Sequence, residues 1–286
     1  MALDNSSPRF DVPPEQALLV IDMQGYSKIP EAKMAPVRSD VDDILDCVLA
    51  NGGLELPRGD EGAYKDTGDG MILAFPPHIL PRLIDPVLGE LNAALARYER
   101  PRLSAAPVVR LRASVHVGPL SMPDRRGAAI NEACRLISSR AAYHALAAAA
   151  EGGGFLAAVI SETAYRRTVA ADRTLQLGAH HFLPVLARVE GKPDFAEPCR
   201  LHVPGLTAPG LRPYISDIAD PSDEGNRGDA ESPPGDPSSA HSADTGGHGM
   251  GSGGATFQFH AALHQPTIAG QVDKMRVDQR GNRSAQ

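Results

Sequence analysis

Asp22 is the first residue of the chain whose position suggests chemistry. It follows the apolar run at 17–21, and Gly25 lies in the short loop directly after it. Five apolar residues in a row predict a buried strand, and a carboxylate at its end, followed by free backbone N–H groups, can hold a metal ion and a phosphate together. A simpler interpretation stays open, because an aspartate at this place often only caps the next turn.

A second carboxylate and a helical pair add to these candidates. Asp69 lies between two glycines and just before the apolar run at 71–75. We therefore expect it at a hairpin tip, where glycines let the backbone approach a ligand closely. Asn131 and Arg135 are four residues apart in a segment of helical periodicity, so they share one helix face. An amide and a guanidinium on one face form a binding pair for an anion and a sugar.

Composition limits the class of protein. The chain has 286 residues, 42% of them hydrophobic, which suffices for one or two domains. Its formal charge of −7 argues against general nucleic-acid binding. We find no apolar run long enough for a membrane span and no signal sequence, and so expect a cytoplasmic protein. Cys47, Cys134 and Cys199 are widely spaced, which fits a reducing compartment and predicts neither disulfides nor a zinc site.

The hydrophobic pattern predicts the elements that position these residues. It predicts strands at 17–22, 71–75, 108–117, 155–161, 181–189 and 200–203. It predicts helices at 37–50, at 79–98 with an interruption at Pro86, at 127–150 and at 162–169. Loops are expected at 28–36 and 118–126, and a turn at 191–194. The order β-α-β-β-α-β-α-β, followed by short strands, indicates an α+β fold with a ferredoxin-like βαββαβ core and extra strands and helices.

The composition also divides the chain into segments. Residues 1–16 predict a flexible lead-in, and a core domain at 17–205 ends at Pro204 and Gly205. Residues 206–254 are rich in Gly, Ser, Pro, Asp and His and predict a disordered linker. Residues 255–286 alternate apolar and polar side chains again, which predicts a short β-prone motif that docks or self-associates through 255–277. An inert, disordered extension is the alternative.

Taken together, the spaced motifs resemble the class III nucleotidyl cyclase catalytic domain. The family has a strand followed by Asp, two residues, Gly, an aromatic residue and Ser or Thr, which residues 21–27 match. Its hairpin motif, Lys-x-x-Gly-Asp, is matched at 65–69, and its His-x-Gly at 116–118. Its helix motif, Asp-x-x-Gly-x-x-x-Asn-x-x-x-Arg, is matched at 124–135. The resemblance covers residues 17–205, including the turn at 189–192, and implies the nucleotidyl cyclase fold.

This resemblance implies a metal and phosphate site. Asp22 and Asp69, with the backbone carbonyl of Met23, would hold two Mg²⁺ or Mn²⁺ ions. The backbone N–H groups expected to bind the triphosphate are those of Gln24, Gly25 and Tyr26. The implied reaction converts a nucleoside triphosphate, with ATP favoured, to a 3′,5′-cyclic nucleotide and pyrophosphate.

The remaining implied roles belong to residues further along the chain. Asn131 would orient the ribose and Arg135 would stabilise charge at the α-phosphate. Lys65 and Asp124 would read adenine, and Lys192 would contact the triphosphate. In this family the site forms between two chains, so a single chain that carries both halves implies a homodimer.

Two other functions stay open. A pyrimidine cyclase acting on UTP or CTP in an antiphage defence system fits the same motifs. A catalytically silent cyclase-like adaptor, acting through the C-terminal motif, is the rival from another class. A catalytically silent domain has no chemical need for Asp22, Asp69, Asn131 and Arg135 together. The presence of all four therefore argues against the adaptor.

Plain structural roles also remain open for several of these residues. Arg135 could pair with Glu132 or Asp124 on a solvated surface. Lys65 and Lys192 could be exposed turn lysines. The residues for which a structural or incidental position is the simpler interpretation are His116, Cys134, His180 and His181.

Overall fold

The apolar runs form one mixed sheet in the computed structural model, which describes residues 11–60, 62–102 and 106–215. The strands of that part of the chain are β1 (Glu15–Met23), β2 (Tyr64–Asp66), β3 (Gly70–Phe75), β4 (Leu111–Pro119), β5 (Leu156–Ser161), β6 (Leu183–Val189) and β7 (Lys192–His202). Their order across the sheet is β2-β3-β1-β4-β5-β7-β6. β4 and β5 are parallel, and the other neighbouring strands are antiparallel.

Helices cover both faces of this sheet. They are α1 (Glu31–Asn51), α2 (Leu80–Ile84), α3 (Val87–Glu99), α4 (Ala128–Ile137), α5 (Arg140–Glu151), α6 (Glu162–Arg167) and α7 (Ala208–Leu211). Side chains 17, 19 and 21 of β1 lie in one core with α1, α2 and α3, whereas 18 and 20 lie in another with α4. Because both faces of β1 are buried, its sequence is a continuous apolar run and does not alternate.

The predicted α+β fold and the predicted order of elements are confirmed. β2 and β3 form the expected hairpin, with Asp69 in its turn. The helical region predicted at 79–98 is divided at Pro86 into α2 and α3. Among the helices described, none has the length and apolar character to cross a membrane.

The loop predicted at 28–36 is wrong over residues 31–36, because α1 begins at Glu31. Pro30 occupies the N-cap of α1, next to the first helical residues, whose N–H groups have no partner within the helix. Pro36 lies inside the helix, near its start, and removes one backbone hydrogen bond. Prolines at the beginning of a helix therefore resemble a loop in the sequence.

The single helix predicted at 127–150 is also wrong, since α4 and α5 are separate helices. Ser139 is the N-cap of α5, and its hydroxyl accepts a hydrogen bond from the Ala142 N–H at 3.3 Å. The same hydroxyl donates to the Leu136 carbonyl at 2.7 Å, at the end of α4. One serine thus ends one helix and starts the next.

The end of the domain differs from the prediction as well. β7 is longer than the strand predicted at 200–203, and its first residue, Lys192, lies within the turn predicted at 191–194. The chain still packs beyond Gly205, because it forms α7 and buries Leu211 and Ile215. The linker predicted from residue 206 therefore does not begin before 216. The rest of that linker, the segment 255–286 and residues 1–10 of the lead-in lie outside the described residues.

Candidate active site

The two candidate metal ligands meet at one end of β1. Asp22 pairs with Gly70 of β3, and the Met23 N–H donates to the Asp69 carbonyl at 2.9 Å. A Cβ on Gly70 would lie 2.0 Å from the Ile21 carbonyl oxygen, so glycine is required for this close approach. The register brings the carboxylate of Asp69 near that of Asp22, and its charge contributes to raising the pKa of Asp22.

Arg112 of β4, which the sequence analysis did not single out, binds Asp22 directly. It is the cross-strand partner of Asp22, and its Nε donates to Asp22 Oδ2 at 3.0 Å, as does its Nη2. The guanidinium lies 3.7 Å from the centre of the Tyr143 ring. Burial raises the pKa of the Asp22 carboxyl, and the charge and hydrogen bonds of Arg112 oppose that rise. The predicted strand at 108–117 also contains Arg110, Ser114 and His116, so no local signal in the sequence distinguishes Arg112 as this partner.

The oxygen atoms at this end of the sheet are suitable ligands for a hard cation. The described contacts of Asp22 all involve Oδ2, and Oδ1 has none. Together with Asp69 and the Met23 carbonyl, Oδ1 gives oxygen ligands only, which are the ligands of Mg²⁺ and Mn²⁺. Within the described ranges, no group of three or more His, Cys, Asp or Glu could hold a metal. A cation here would therefore need further oxygen ligands from phosphate or water.

The loop after β1 only partly matches the predicted phosphate site. Gly25 has a φ of 70°, in the left-handed region, and precedes a 3₁₀ turn at Tyr26–Lys28. The Gln24 N–H already donates to the Arg110 carbonyl at 2.9 Å. The predicted contact of Gln24 with phosphate thus conflicts with a backbone hydrogen bond, which leaves that role to the N–H groups of Gly25 and Tyr26.

The two residues expected to read the base lie near each other. Lys65 Nζ donates to the Arg125 carbonyl at 3.2 Å. Burial lowers the pKa of Lys65, the charges of Arg126 and Arg125 lower it further, and the charge of Asp124 raises it. Asp124 is half-exposed and pairs with Arg126 at 3.1 Å. The hairpin and the loop before α4 therefore place an ammonium and a carboxylate near each other.

Asn131 and Arg135 lie on α4 and are both half-buried. The Arg135 guanidinium lies 5.5 Å from the centre of the Phe195 ring of β7. The carboxylates that could have paired with Arg135 have other partners, since Asp124 binds Arg126 and Glu132 lies 3.1 Å from Nε2 of His116.

His116 has the position of a structural residue. It is buried in β4, and burial lowers its pKa to about 4, so the ring is neutral at pH 7. Gly118 lies two residues further, where a Cβ would be 2.8 Å from the Cβ of Ala129. The His-x-Gly motif thus lets α4 approach β4 closely.

A basic cleft of about 420 Å³ lies at the start of α5 and the β6–β7 hairpin. Its lining includes Arg140, Arg188, Lys192 and Phe195. The charges of Lys65 and Lys192 both lower the pKa of Cys134 on α4, against a larger effect of burial that raises it to about 11. The amines of Lys65 and Lys192 therefore both lie near the helix that carries Asn131 and Arg135.

The histidine pair at 180–181 lies elsewhere. The rings of His180 and His181 lie with their centres 3.8 Å apart and are tilted by 40° to each other, in a short 3₁₀ turn before β6. His202 lies near them, and its Nδ1 is 3.2 Å from the His181 carbonyl. These rings contribute to the packing around β6 and β7.

No protein-family model and no curated protein matches this sequence. Among solved structures, it is similar to an adenylate/guanylate cyclase/hydrolase from Silicibacter pomeroyi, with 21% identity over 67% of this chain and 98% of that chain and a TM-score of 0.45. A bacterial light-regulated adenylyl cyclase has 15% identity over 71% and 98% of the two chains and a TM-score of 0.43. A non-canonical dimeric guanylyl cyclase domain of a fusion protein from the aquatic fungus Blastocladiella emersonii has 11% identity over 67% of this chain and 97% of that chain, with a TM-score of 0.42. All three are structures of adenylate or guanylate cyclases or their domains.

Proposed function

We propose that this chain is a nucleotidyl cyclase that converts a nucleoside triphosphate, with ATP favoured, to a 3′,5′-cyclic nucleotide and pyrophosphate. The observation that carries the proposal is the hydrogen bond from the Met23 N–H to the Asp69 carbonyl, which unites two carboxylates at one end of the sheet. Paired oxygen donors beside a glycine loop suit a metal-bound triphosphate.

The metal ligands in this proposal are Asp22, Asp69 and the Met23 carbonyl. Two Mg²⁺ or Mn²⁺ ions held there would lower the pKa of the ribose 3′-hydroxyl and offset the charge of the triphosphate. Arg112 holds Oδ2 of Asp22 and so fixes the orientation of its carboxylate. The N–H groups of Gly25 and Tyr26 lie next in the chain and would bind phosphate oxygens.

The remaining proposed roles belong to residues on α4 and near it. Asn131 would orient the ribose, and Arg135, held against Phe195, would stabilise the charge that develops at the α-phosphate. Lys192 in the basic cleft would bind the triphosphate and retain pyrophosphate until release. The loss of one such charge-stabilising group costs about 10²–10³-fold in rate.

Lys65 and Asp124 would select the base. An ammonium donates to the adenine ring nitrogen N1, and a carboxylate accepts from the amino group at N6. Cytosine also presents a ring-nitrogen acceptor beside an amino group, so CTP is the second candidate substrate.

The site in this proposal is completed by a second copy of the chain. One protomer supplies the metal ligands, and the other supplies the base-reading and ribose-binding residues of α4 and its neighbours. A symmetric dimer then has two equivalent sites.

The test is incubation of the purified protein with Mn²⁺ and, separately, ATP, GTP, CTP and UTP, with mass spectrometry of the products. We expect a cyclic nucleotide from ATP and none from the variant Asp22→Ala. Absence of cyclic product from all four nucleotides, in a sample shown to be dimeric, would contradict the proposal and favour a silent adaptor.

A further inference from the structure

The loop that carries Asp124 is closed at its neck by backbone hydrogen bonds. Ser121 N–H donates to the Arg126 carbonyl at 2.8 Å, and Arg126 N–H donates to the Ser121 carbonyl at 3.1 Å. Between them, Arg125 adopts a left-handed φ of 49°, which is uncommon for a residue with a side chain. This conformation needs support from contacts outside the loop.

The side chain of Arg125 supplies such support. It is buried, and its Nη1 and Nη2 donate to the two carboxylate oxygens of Asp60 at 3.1 and 2.6 Å. A bidentate pair of this kind fixes orientation as well as distance. Asp60 belongs to the segment before β2, so the ion pair joins the loop to the approach of the hairpin.

Two backbone contacts strengthen the same connection. The Arg125 carbonyl accepts a hydrogen bond from Lys65 Nζ at 3.2 Å. A Cβ on Gly62 would lie 2.7 Å from the carbonyl carbon and oxygen of Asp124, so the two segments touch through their backbones. Asp60, Gly62 and Lys65 therefore contact the loop at three successive points.

From this arrangement we infer that Asp60 and Arg125 are positioning residues that set base selectivity by fixing Asp124 relative to Lys65. The inference rests on the proposed cyclase function. A base edge presents its donor and acceptor at a fixed spacing, so a carboxylate and an ammonium discriminate between bases only while their own spacing is fixed. Asp60 supplies no contact to the base in this arrangement; it acts through Arg125.

The central experiment compares Asp60→Ala with Asp46→Ala. Asp46 accepts a hydrogen bond from Arg58 at 2.7 Å, so the control removes a partly exposed carboxylate from a similar ion pair on α1. We expect Asp60→Ala to lower the ratio of kcat/KM for ATP to that for GTP by about 10- to 100-fold, mainly through KM for ATP, since small misplacements have effects of this size. Asp46→Ala should keep the wild-type ratio.

A double-mutant cycle tests whether the two residues act together. Arg125→Met should lower the same ratio, and Asp60→Ala combined with Arg125→Met should have no larger effect than either single change. Additive effects on the ratio would contradict a shared positioning role.

Amide hydrogen exchange gives a readout that does not need activity. The peptide spanning 119–127 should exchange faster in Asp60→Ala than in the wild type, whereas Asp46→Ala should leave it unchanged. Unchanged exchange in Asp60→Ala would contradict the role of the Asp60–Arg125 ion pair in fixing this loop, even if the chain proves to have no cyclase activity. Faster exchange with unchanged base preference in an active enzyme would overturn the role in selectivity while leaving the cyclase function in place.

Discussion

At the scale of single residues, Asp22 depends on its neighbour Arg112. Burial raises the pKa of Asp22, whereas the charge and hydrogen bonds of Arg112 lower it, so Arg112 favours the ionised carboxylate that burial disfavours. Arg112 in turn is nearly buried and stacks on Tyr143. Removing one member of such a pair leaves the other with the full cost of its burial.

We predict that Arg112→Met lowers the free energy of unfolding by about 1–3 kcal/mol at pH 7, because Asp22 loses its partner. The direction in which this loss of stability changes with pH follows from the pKa of Asp22, which is raised in the wild type and rises further when Arg112 is absent. The difference in the free energy of unfolding between the variant and the wild type should therefore be largest at pH 7–8 and shrink as the pH falls and Asp22 becomes protonated. Urea unfolding from pH 5 to 8 measures this trend.

The matched control for this prediction is Arg112→Met combined with Asp22→Asn. That variant has no unpaired carboxylate at position 22, so its loss of stability relative to the wild type should not shrink as the pH falls, as it does in Arg112→Met alone. A deficit that is equal at every pH in the single variant would mean that packing around Tyr143, and not the charge of Asp22, is what Arg112 stabilises.

Arg112 also shows where prediction from the sequence is limited at this scale. The polar residues at strand ends and turns, such as Asp22 and Asp69, could be identified from their flanking residues alone. Arg112 lies inside a predicted strand, and its importance follows from the register that places it opposite Asp22. Register is fixed by pairing with distant strands, which local pattern does not contain.

At the scale of elements, the hairpin of β2 and β3 is the part that fixes the second carboxylate. Gly70 is the critical position, because the Ile21 carbonyl oxygen occupies the space of its missing side chain. We predict that Gly70→Ala costs about 1–3 kcal/mol in the free energy of unfolding and displaces Asp69. Chemical unfolding and titration with Mn²⁺ measure the two effects.

Gly89 provides the control for this prediction. It is exposed in the first turn of α3, and a Cβ there would meet nothing within 4 Å. Gly89→Ala should therefore stabilise the chain by about 0.4–1 kcal/mol, because alanine restricts the unfolded chain more than glycine does. Equal effects of the two substitutions would contradict the close approach at Gly70.

The elements predicted from the sequence are correct where one signal dominates. β1, the hairpin and the interruption at Pro86 each have a strong local signature. The errors occur where two signals conflict. Pro30 and Pro36 hide the start of α1, and the alanine-rich pattern around Ser139 hides the end of α4. In each case packing against the sheet decides the outcome, and that packing involves residues far away in the sequence.

At the scale of the whole molecule, a buried histidine links stability to pH. His202 is 2% exposed, and burial lowers its pKa from 6.5 to about 4; a hydrogen bond with the His181 backbone opposes this shift, and the charges of His181 and Asp85 lower and raise the pKa by smaller amounts. The unfolded chain binds a proton below pH 6.5 that the folded chain does not bind until about pH 4. The stability present above pH 6.5 is therefore lost as the pH falls, by up to about 1.4 kcal/mol per pH unit.

We predict that His202→Gln has a weaker dependence of the free energy of unfolding on pH between 6.5 and 4.5. The exposed His78 is the matched control, and His78→Gln should keep the wild-type slope. Urea unfolding at several pH values measures both. An unchanged slope in His202→Gln would show that other groups produce the acid sensitivity.

The last prediction concerns the division of the site between two copies of the chain. In the proposed site, Asp22→Ala removes a metal ligand and Arg135→Ala removes the residue at the α-phosphate, so we expect each variant alone to be inactive. In a mixed dimer, one site carries both defects and the other carries neither. If the two variants mix freely, half of the dimers are mixed and each has one intact site, so activity should recover to about a quarter of the wild type.

The measurement is cyclic nucleotide formation after the two variants are unfolded together and refolded, compared with each variant treated alone. A site built within a single chain predicts no recovery, because every chain then carries one defect. Asp22→Ala mixed with Asp69→Ala is the matched control, since both changes affect the proposed metal ligands, which one protomer supplies to each site. That mixture should stay inactive, and recovery in it would contradict the assignment of Asp22 and Asp69 to one site.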